Sequence, residues 1–370
     1  MTPSATVRPR LRFHGLAVTG IDTAAADGSA VAVTCGVPEH LRDVFAFRPG
    51  QHVTVRASVD GRPIRRCYSL CSTPAELSRH GVIRLGIRRM ASGAFSAHRV
   101  GTLAVGDVLD VLPPVGTFGT AVAPGRRRHY GAIVAGSGIT PVLSLVTTAL
   151  ATETASTFTV LYANRSVDST MFAEDLSDLK DRYPRRLHLV DVFSRGHSQT
   201  GLTVTRLDAA TLSTLFEGIV AAAAVQEWFL CGPIGLVQAA RRTLLDRGVH
   251  RSAVHTELFG LGRRTSRPVV PARCPGTAGP EVRMLLDGRS STVHMGTANS
   301  VLDAALVTRS ETPYSCRTGV CGTCRARVTS GAVRMGSNWS LTEEELAAGY
   351  VLTCQAVPTT DQVTVDFGPT

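Results

Sequence analysis

The chain has 370 residues, 44% of them hydrophobic, and a formal net charge of +10. That length exceeds what one core serves, so two or three domains are expected, and no apolar run reaches the ~18–20 residues that a membrane span needs. The arginines stand singly or in short runs (126–128, 241–242, 263–264), without a basic helix or interleaved aromatics. They read as solvated faces rather than a nucleic-acid surface.

The opening, MTPSATVRPRLRF, puts no apolar segment behind its charges, so no secretory signal is read and a cytoplasmic protein is expected. Nine cysteines in such a chain do not form a disulfide framework. Residues 1–10 are expected to be a flexible N-terminus. From 11 to about 124 the pattern is short and β-like: VAVTC, HVTVRASV, VIRLGIRR and DVLDVL are strand candidates separated by DG, PGQ and VDGRP turns. Many short strands with tight turns predict an antiparallel β-barrel or sandwich.

Within this part, RRCYSLCSTP follows a predicted strand. Arg66, Tyr68 and Ser69 bring a cation, an aromatic face and a hydroxyl onto an extended segment, with Cys67 between them. Such a row suits a phosphate and a flat ring. Downstream, Arg88 precedes a turn, Gly93-Ala94-Phe95-Ser96, whose backbone N–H groups can bind an anion at a helix start. Gly116-Thr117-Phe118 in PPVGTF makes another tight turn with an aromatic.

The rhythm changes near residue 125. YGAIVAG reads as a buried strand, and FTVLYANR, LHLVDVFS and EWFLCGP as the strands that follow it. They alternate with the helices PVLSLVTTAL, MFAEDLSDLKDRY and LVQAARRTLLDRG, which predicts an α/β, doubly wound parallel sheet over 125–260. Between the first strand and its helix lies Gly136-Ser137-Gly138-Ile139-Thr140-Pro141, where small residues let backbone approach a pyrophosphate. This is not the G-x-G-x-x-G fingerprint. Residues 261–280, rich in Gly, Pro and Arg, read as a linker.

The segment 281–370 holds seven arginines, no lysine and nine acidic residues, so it is net acidic while the remainder is strongly basic. It begins with a probable hairpin, VRMLLDGRSSTVHM, and a helix, NSVLDAALVTRS, capped by Asn or Ser. Then comes Cys316-x4-Cys321-x2-Cys324, with Cys354 far downstream. C-x4-C-x2-C…C is the plant-type [2Fe–2S] spacing, whereas zinc ribbons favour paired C-x2-C knuckles. Two ferric ions, two sulfides and four thiolates leave a dianion, so Gly319 and Gly322 for a curling loop and Arg317 and Arg325 for charge fit the same reading. The other cysteines read as reduced, packed thiols.

Taken in order, R-x-Y-S, the turn ending in Ser96, P-x-G-x-F and G-x-G-I-x-P resemble the ferredoxin–NADP reductase superfamily, here with a C-terminal β-grasp ferredoxin. The resemblance implies that Arg66 contacts the flavin pyrophosphate, Tyr68 stacks on the isoalloxazine and Ser69 bonds near N5. The stretch Tyr162-Ala163-Asn164-Arg165 stands where the family has Y-G-N-R. It also implies that Cys231, Gly232 and Pro233 end the strand at the hydride-transfer position, with Glu257 bordering the flavin. Ser194-Arg195 resembles the S-R pair of NADPH-using members, so NADPH is favoured over NADH. FAD is expected, with FMN as the alternative flavin. The domain order is that of reductases serving phenylacetyl-CoA epoxidases, and it is shared with those of ketosteroid 9α-hydroxylases. The implied function is electron transfer from NAD(P)H through flavin and cluster to a terminal oxygenase, di-iron or Rieske type, or a P450. A redox sensor without turnover is the non-enzyme alternative.

Overall fold

The computed structural model describes residues 11–59, 61–90, 100–195, 206–218, 220–259 and 279–368. Period-two alternation in the first part becomes six antiparallel strands: β1 (His14–Thr23), β2 (Ala30–Gly36), β3 (His52–Val59), β4 (Arg62–Ser69), β5 (Val82–Arg88) and β6 (Val108–Val111). Their order is β4-β3-β6-β1-β2-β5, and an antiparallel bridge between Leu70 and Leu85 joins the two edges. The sheet thus closes into a barrel around Leu16, Val33, Val53, Val55 and Leu85. β4 differs from the expectation, because the R-x-Y-S run lies inside the strand rather than behind one. A segment with three arginines and a proline has little strand propensity of its own; pairing with β3 along its whole length imposes it.

Five parallel strands follow: β7 (His129–Ala135), β8 (Thr157–Asn164), β9 (Leu187–Phe193), β10 (Glu227–Gly232) and β11 (Val254–Leu258). The order β11-β10-β7-β8-β9 puts the topological switch point between β7 and β10. Helices Ile139–Thr152 and Ala173–Arg182 cover one face and Ala209–Gly218 and Ile234–Asp246 the other, as the two separate cores show. The first core also takes in Ala30, Ala32, Cys71 and Phe118, so barrel and nucleotide sheet share one apolar interior.

The last part pairs β12 (Glu281–Leu286), β13 (Arg289–His294), β14 (Arg325–Ser330), β16 (Tyr350–Leu352) and β18 (Gln362–Asp366) in the order β13-β12-β18-β14-β16. A second small sheet joins β15 (Val333–Met335) to β17 (Ala356–Pro358). Helix Val301–Thr308 packs across them, its Ser300 Oγ accepting from the Asp303 N–H at 3.1 Å. This is the expected β-grasp arrangement. The expectations for residues 1–10, for the Gly93-Ala94-Phe95-Ser96 turn and for 261–278 of the linker lie outside the described residues. Among the described residues, no helix is long and apolar enough to cross a membrane.

Candidate redox site

The site forms where the carboxyl ends of β7 and β10 meet one end of the barrel. After β7 the chain makes a tight turn over Gly136–Gly138 and enters helix Ile139–Thr152. The turn lies so close to β10 that a Cβ on Gly138 would be 2.2 Å from the Cys231 carbonyl oxygen. Thr140 Oγ1 donates to Ser137 O at 2.9 Å, and Tyr162 OH donates to Gly136 O at 3.0 Å. Ile139, Thr140 and Pro141 are buried, so only the backbone of 136–138 and Ser137 remain to meet a ligand.

Two buried donors at this edge lack a partner: Arg88 Nε and Asn164 Nδ2. Leaving such groups unpaired costs roughly 1–3 kcal/mol each, so both are donors that a bound anion could satisfy. Arg88 spends its remaining nitrogens on Ser29 Oγ (3.2 Å) and Ser169 O (2.7 Å), which fixes the guanidinium beside the turn. At the next strand ends, Ser194 N donates to Asn164 O at 3.0 Å and Arg195 N to Arg165 O at 2.8 Å. These bonds draw together Arg165, Ser194 and Arg195, all exposed.

β4 distributes the flavin candidates over two faces. Arg66 and Tyr68 pair with Val55 and Val53 and share their face, while Ser69 pairs with His52 on the other. Tyr68 packs against the barrel core, and Arg66 is exposed with its Nη1 donating to Arg65 O at 2.8 Å. Ser69 Oγ donates to Glu257 Oε2 at 3.2 Å. The same carboxylate faces Cys231 Sγ at 3.9 Å, and its other oxygen lies 3.4 Å from His52 Nδ1. Cys231 and Glu257 are partners in register on β10 and β11. Burial first, and then the Glu257 carboxylate, hold the Cys231 thiol well above the ordinary cysteine range, so it is protonated at neutral pH.

His52 was not singled out from sequence. The available signal was a lone polar residue heading an alternating Val53/Val55 strand. It is 4% exposed, and its Nε2 has no partner. Gly116 lies next to it, with its carbonyl accepting from Gln51 Nε2 at 3.1 Å. Phe118 is turned into the core against Phe229 (5.7 Å between ring centres), and Thr117 Oγ1 donates to Ser340 O at 3.3 Å. Cys67 faces neither of these groups; it points toward Thr54 and Thr323.

Among the clustered thiols, Cys316 neighbours Cys321 and Cys324 neighbours Cys354, while Cys321 also neighbours Cys67 of β4. Cys321, Cys324 and Cys354 are buried and Cys316 is partly so. Two pairs of sulfurs fit a centre of two irons holding two thiolates each. The loop curls as the glycines require. Gly319 has φ +81°, and a Cβ there would sit 2.5 Å from Ser337 O. The two nearby arginines carry their own carboxylates, Arg317 with Asp303 at 2.6 Å and Arg325 with Glu345. A single cleft is lined by His52, Thr117, Glu257, Cys321, Trp339 and Ser340, so residues of all three sheets' modules face one space.

Comparison with known proteins agrees with this geometry. Residues 34–119 match the oxidoreductase FAD-binding domain, 132–242 the oxidoreductase NAD-binding domain and 284–359 the 2Fe-2S iron-sulfur cluster binding domain. The chain is 39% identical over 359 residues to a component of the 1,2-phenylacetyl-CoA epoxidase of Escherichia coli K12, covering 96% of this chain and 98% of that protein. It is 33% identical to the ferredoxin reductase component of 3-ketosteroid-9-alpha-monooxygenase from Rhodococcus rhodochrous, over 91% of this chain and 92% of that one. The fold matches phthalate dioxygenase reductase with a TM-score of 0.56 at 21% identity, over 96% and 98% of the two chains. The chain belongs to the ferredoxin–NADP reductase superfamily, among the oxygenase reductases that carry a C-terminal [2Fe–2S] ferredoxin domain. It is an oxidoreductase that uses FAD, a nicotinamide nucleotide and a [2Fe–2S] cluster, which replaces the sensor and zinc readings.

Proposed function

We propose that the chain is the NADPH-dependent reductase of a di-iron oxygenase acting on phenylacetyl-CoA. When bound, the nicotinamide supplies a hydride, the flavin divides its electron pair, and the cluster carries single electrons. The chain's own residues arrange these groups. Arg88 Nε, Asn164 Nδ2 and the 136–138 backbone offer donors to nucleotide phosphate. Tyr68 offers a ring face, and Ser69 an oriented hydroxyl whose proton is held toward Glu257. Cys231, buried and protonated, stands beside Glu257 at the end of β10. Arg165, Ser194 and Arg195 form a cationic, hydroxyl-bearing group suited to a 2′-phosphate.

The observation that carries the relay reading is the shared cleft, whose lining includes both Cys321 of the cluster loop and Glu257 of the nucleotide sheet. The choice of partner is supported by the higher identity to the epoxidase component than to the ketosteroid component. The test is reconstitution: purified holoprotein and NADPH are mixed in turn with a phenylacetyl-CoA epoxidase oxygenase and with a ketosteroid hydroxylase oxygenase. Coupled product with the first and not the second is expected. Faster coupled turnover with the Rieske component, or a preference for NADH, overturns the corresponding part.

A further inference from the structure

The outward face of the β3–β4 ribbon, opposite Val53 and Val55, carries two of the flavin candidates, Cys67 and Ser69. Beside them it carries Thr54, Arg56 and Arg65, which the flavin and nucleotide reading does not use. An arginine on an outer strand face normally reaches water, but Arg65 is 7% exposed. Its Nη1 donates to Thr312 O at 2.9 Å and its Nη2 to Ser310 O at 3.0 Å. The guanidinium also lies 4.1 Å from the ring centre of Tyr314, two residues before the cluster ligand Cys316, and 5.1 Å from that of Phe13. The acceptor carbonyls follow helix Val301–Thr308, whose C-terminal end favours a cation. They are held ready, because both the N–H and the hydroxyl of Thr312 bond to Arg309 O, at 3.1 and 2.7 Å. Two diverging donors on two carbonyls use the rigid fork that lysine lacks.

One strand repeat onward the same face meets the cluster loop. Thr54 Oγ1 is 3.3 Å from Thr323 Oγ1, and Cys67 Sγ is 3.5 Å from Thr54 Oγ1 and 3.9 Å from Thr323 Oγ1. Thr323 is 1% exposed and adjoins Cys324, while Cys67 adjoins Tyr68. We infer that Arg65 is a positioning residue, a pin that holds the ferredoxin module docked on the barrel with its cluster loop against Cys67, beside the flavin site. The kinetic part rests on the relay reading above; the docking itself does not. The peripheral Arg12–Asp287 pair at 2.8 Å is the natural contrast, since Arg12 is 60% exposed and its charge is screened.

The experiment uses full-length holoprotein as wild type, Arg65→Met, Arg65→Lys and Arg12→Ala. Anaerobic stopped-flow with NADPH follows flavin bleaching and cluster reduction separately, and small-angle X-ray scattering reports the largest dimension. For Arg65→Met, flavin bleaching is expected within roughly twofold of wild type. Cluster reduction should slow by roughly tenfold or more, and the largest dimension should increase. Arg65→Lys should fall between, and should decide the matter if the methionine variant does not fold. Arg12→Ala should match wild type. Unchanged scattering with wild-type cluster reduction in both Arg65 variants overturns the inference, as does expansion without slowing. Wild-type protein that shows no flavin bleaching with NADPH or NADH would instead defeat the relay reading, and the scattering comparison would still judge the pin.

Discussion

Gly138→Ala probes the switch point most directly, because the glycine is needed there for space and not for conformation. Its φ and ψ of −61° and −11° are ordinary helical values, so alanine meets no torsional cost. The added Cβ, however, would stand 2.2 Å from the Cys231 carbonyl oxygen, 2.6 Å from its carbon and 3.1 Å from Gly232 N. Those atoms are backbone of β10, which is bonded to β7 on one side and β11 on the other, so they cannot swing aside as a side chain would. Overpacking costs typically ~1–3 kcal/mol, and a rigid obstacle puts this case at the upper end. For a unit of this size, ~3 kcal/mol corresponds to a fall in Tm of roughly 6–12 °C. Relief must move the 136–138 turn away from β10, which displaces the backbone offered to the nucleotide and weakens its binding. Gly136→Ala makes the comparison, since its φ is +53° and the nearest atom to a Cβ there is Arg88 Nε at 3.9 Å. It should cost only the ~1–2 kcal/mol of a left-handed alanine. Calorimetry on the holoproteins and NADPH titration provide the readouts. A Gly138→Ala protein with wild-type Tm and wild-type Kd would refute the close approach.

Four further outcomes follow from the site. Glu257→Gln keeps the shape but removes the charge that Ser69 and His52 face, so flavin reduction by NADPH should slow by roughly tenfold or more at unchanged flavin content. Arg195→Ala should raise KM for NADPH by roughly tenfold while leaving KM for NADH nearly unchanged, measured by steady-state kinetics with both nucleotides. Cys354→Ala should abolish iron incorporation and cytochrome c reduction while ferricyanide reduction persists, because the flavin and nucleotide residues lie on other elements. Burial pushes the Cys35 thiol up to about 12 from an ordinary 9.0. Above pH 9 the unfolded chain therefore sheds a proton that the folded chain keeps, and stability falls by up to ~1.4 kcal/mol per pH unit from this group until its folded value is reached. Cys35→Val should flatten part of that alkaline decline in denaturant titrations.

The elements that were legible before folding are those with a clean period. The cores of strands β7, β8 and β10 are largely apolar runs bounded by turns, and the helix over 173–182 has acids in its first turn and bases in its last, so pattern and structure agree. The extended run at Arg66–Ser69 was legible, but its start at Arg62 was not, since RPIRRCYS takes its conformation from pairing with β3 rather than from its composition. The 2Fe-2S domain was readable from the C-x4-C-x2-C…C spacing, which cluster chemistry constrains. Ser69, Cys231 and Glu257 could be named singly, but their meeting at one carboxylate depends on tertiary structure, as each comes from a different strand. His52 escaped notice for the same reason: a histidine heading a strand acquires meaning only when Glu257 is 3.4 Å away.

The division of labour in β4 follows from the strand's period of two. Side chains on one face, Arg66 and Tyr68, point with Val53 and Val55 and are available to a ring and its phosphates. Side chains on the other face, Arg65, Cys67 and Ser69, reach in turn the turn before Tyr314, the cluster loop at Thr323 and Glu257 of the nucleotide sheet. Five consecutive residues therefore touch or face every module, and their spacing is set by the β3–β4 register alone. A slip of one residue would exchange the two sets, sending Arg65 into the barrel and Tyr68 to the ferredoxin. The paired run from His52–Ser69 to Val59–Arg62 excludes that slip along the whole ribbon. The same hydrogen-bonded ladder that closes the barrel thus sets how far the cluster loop stands from the flavin residues.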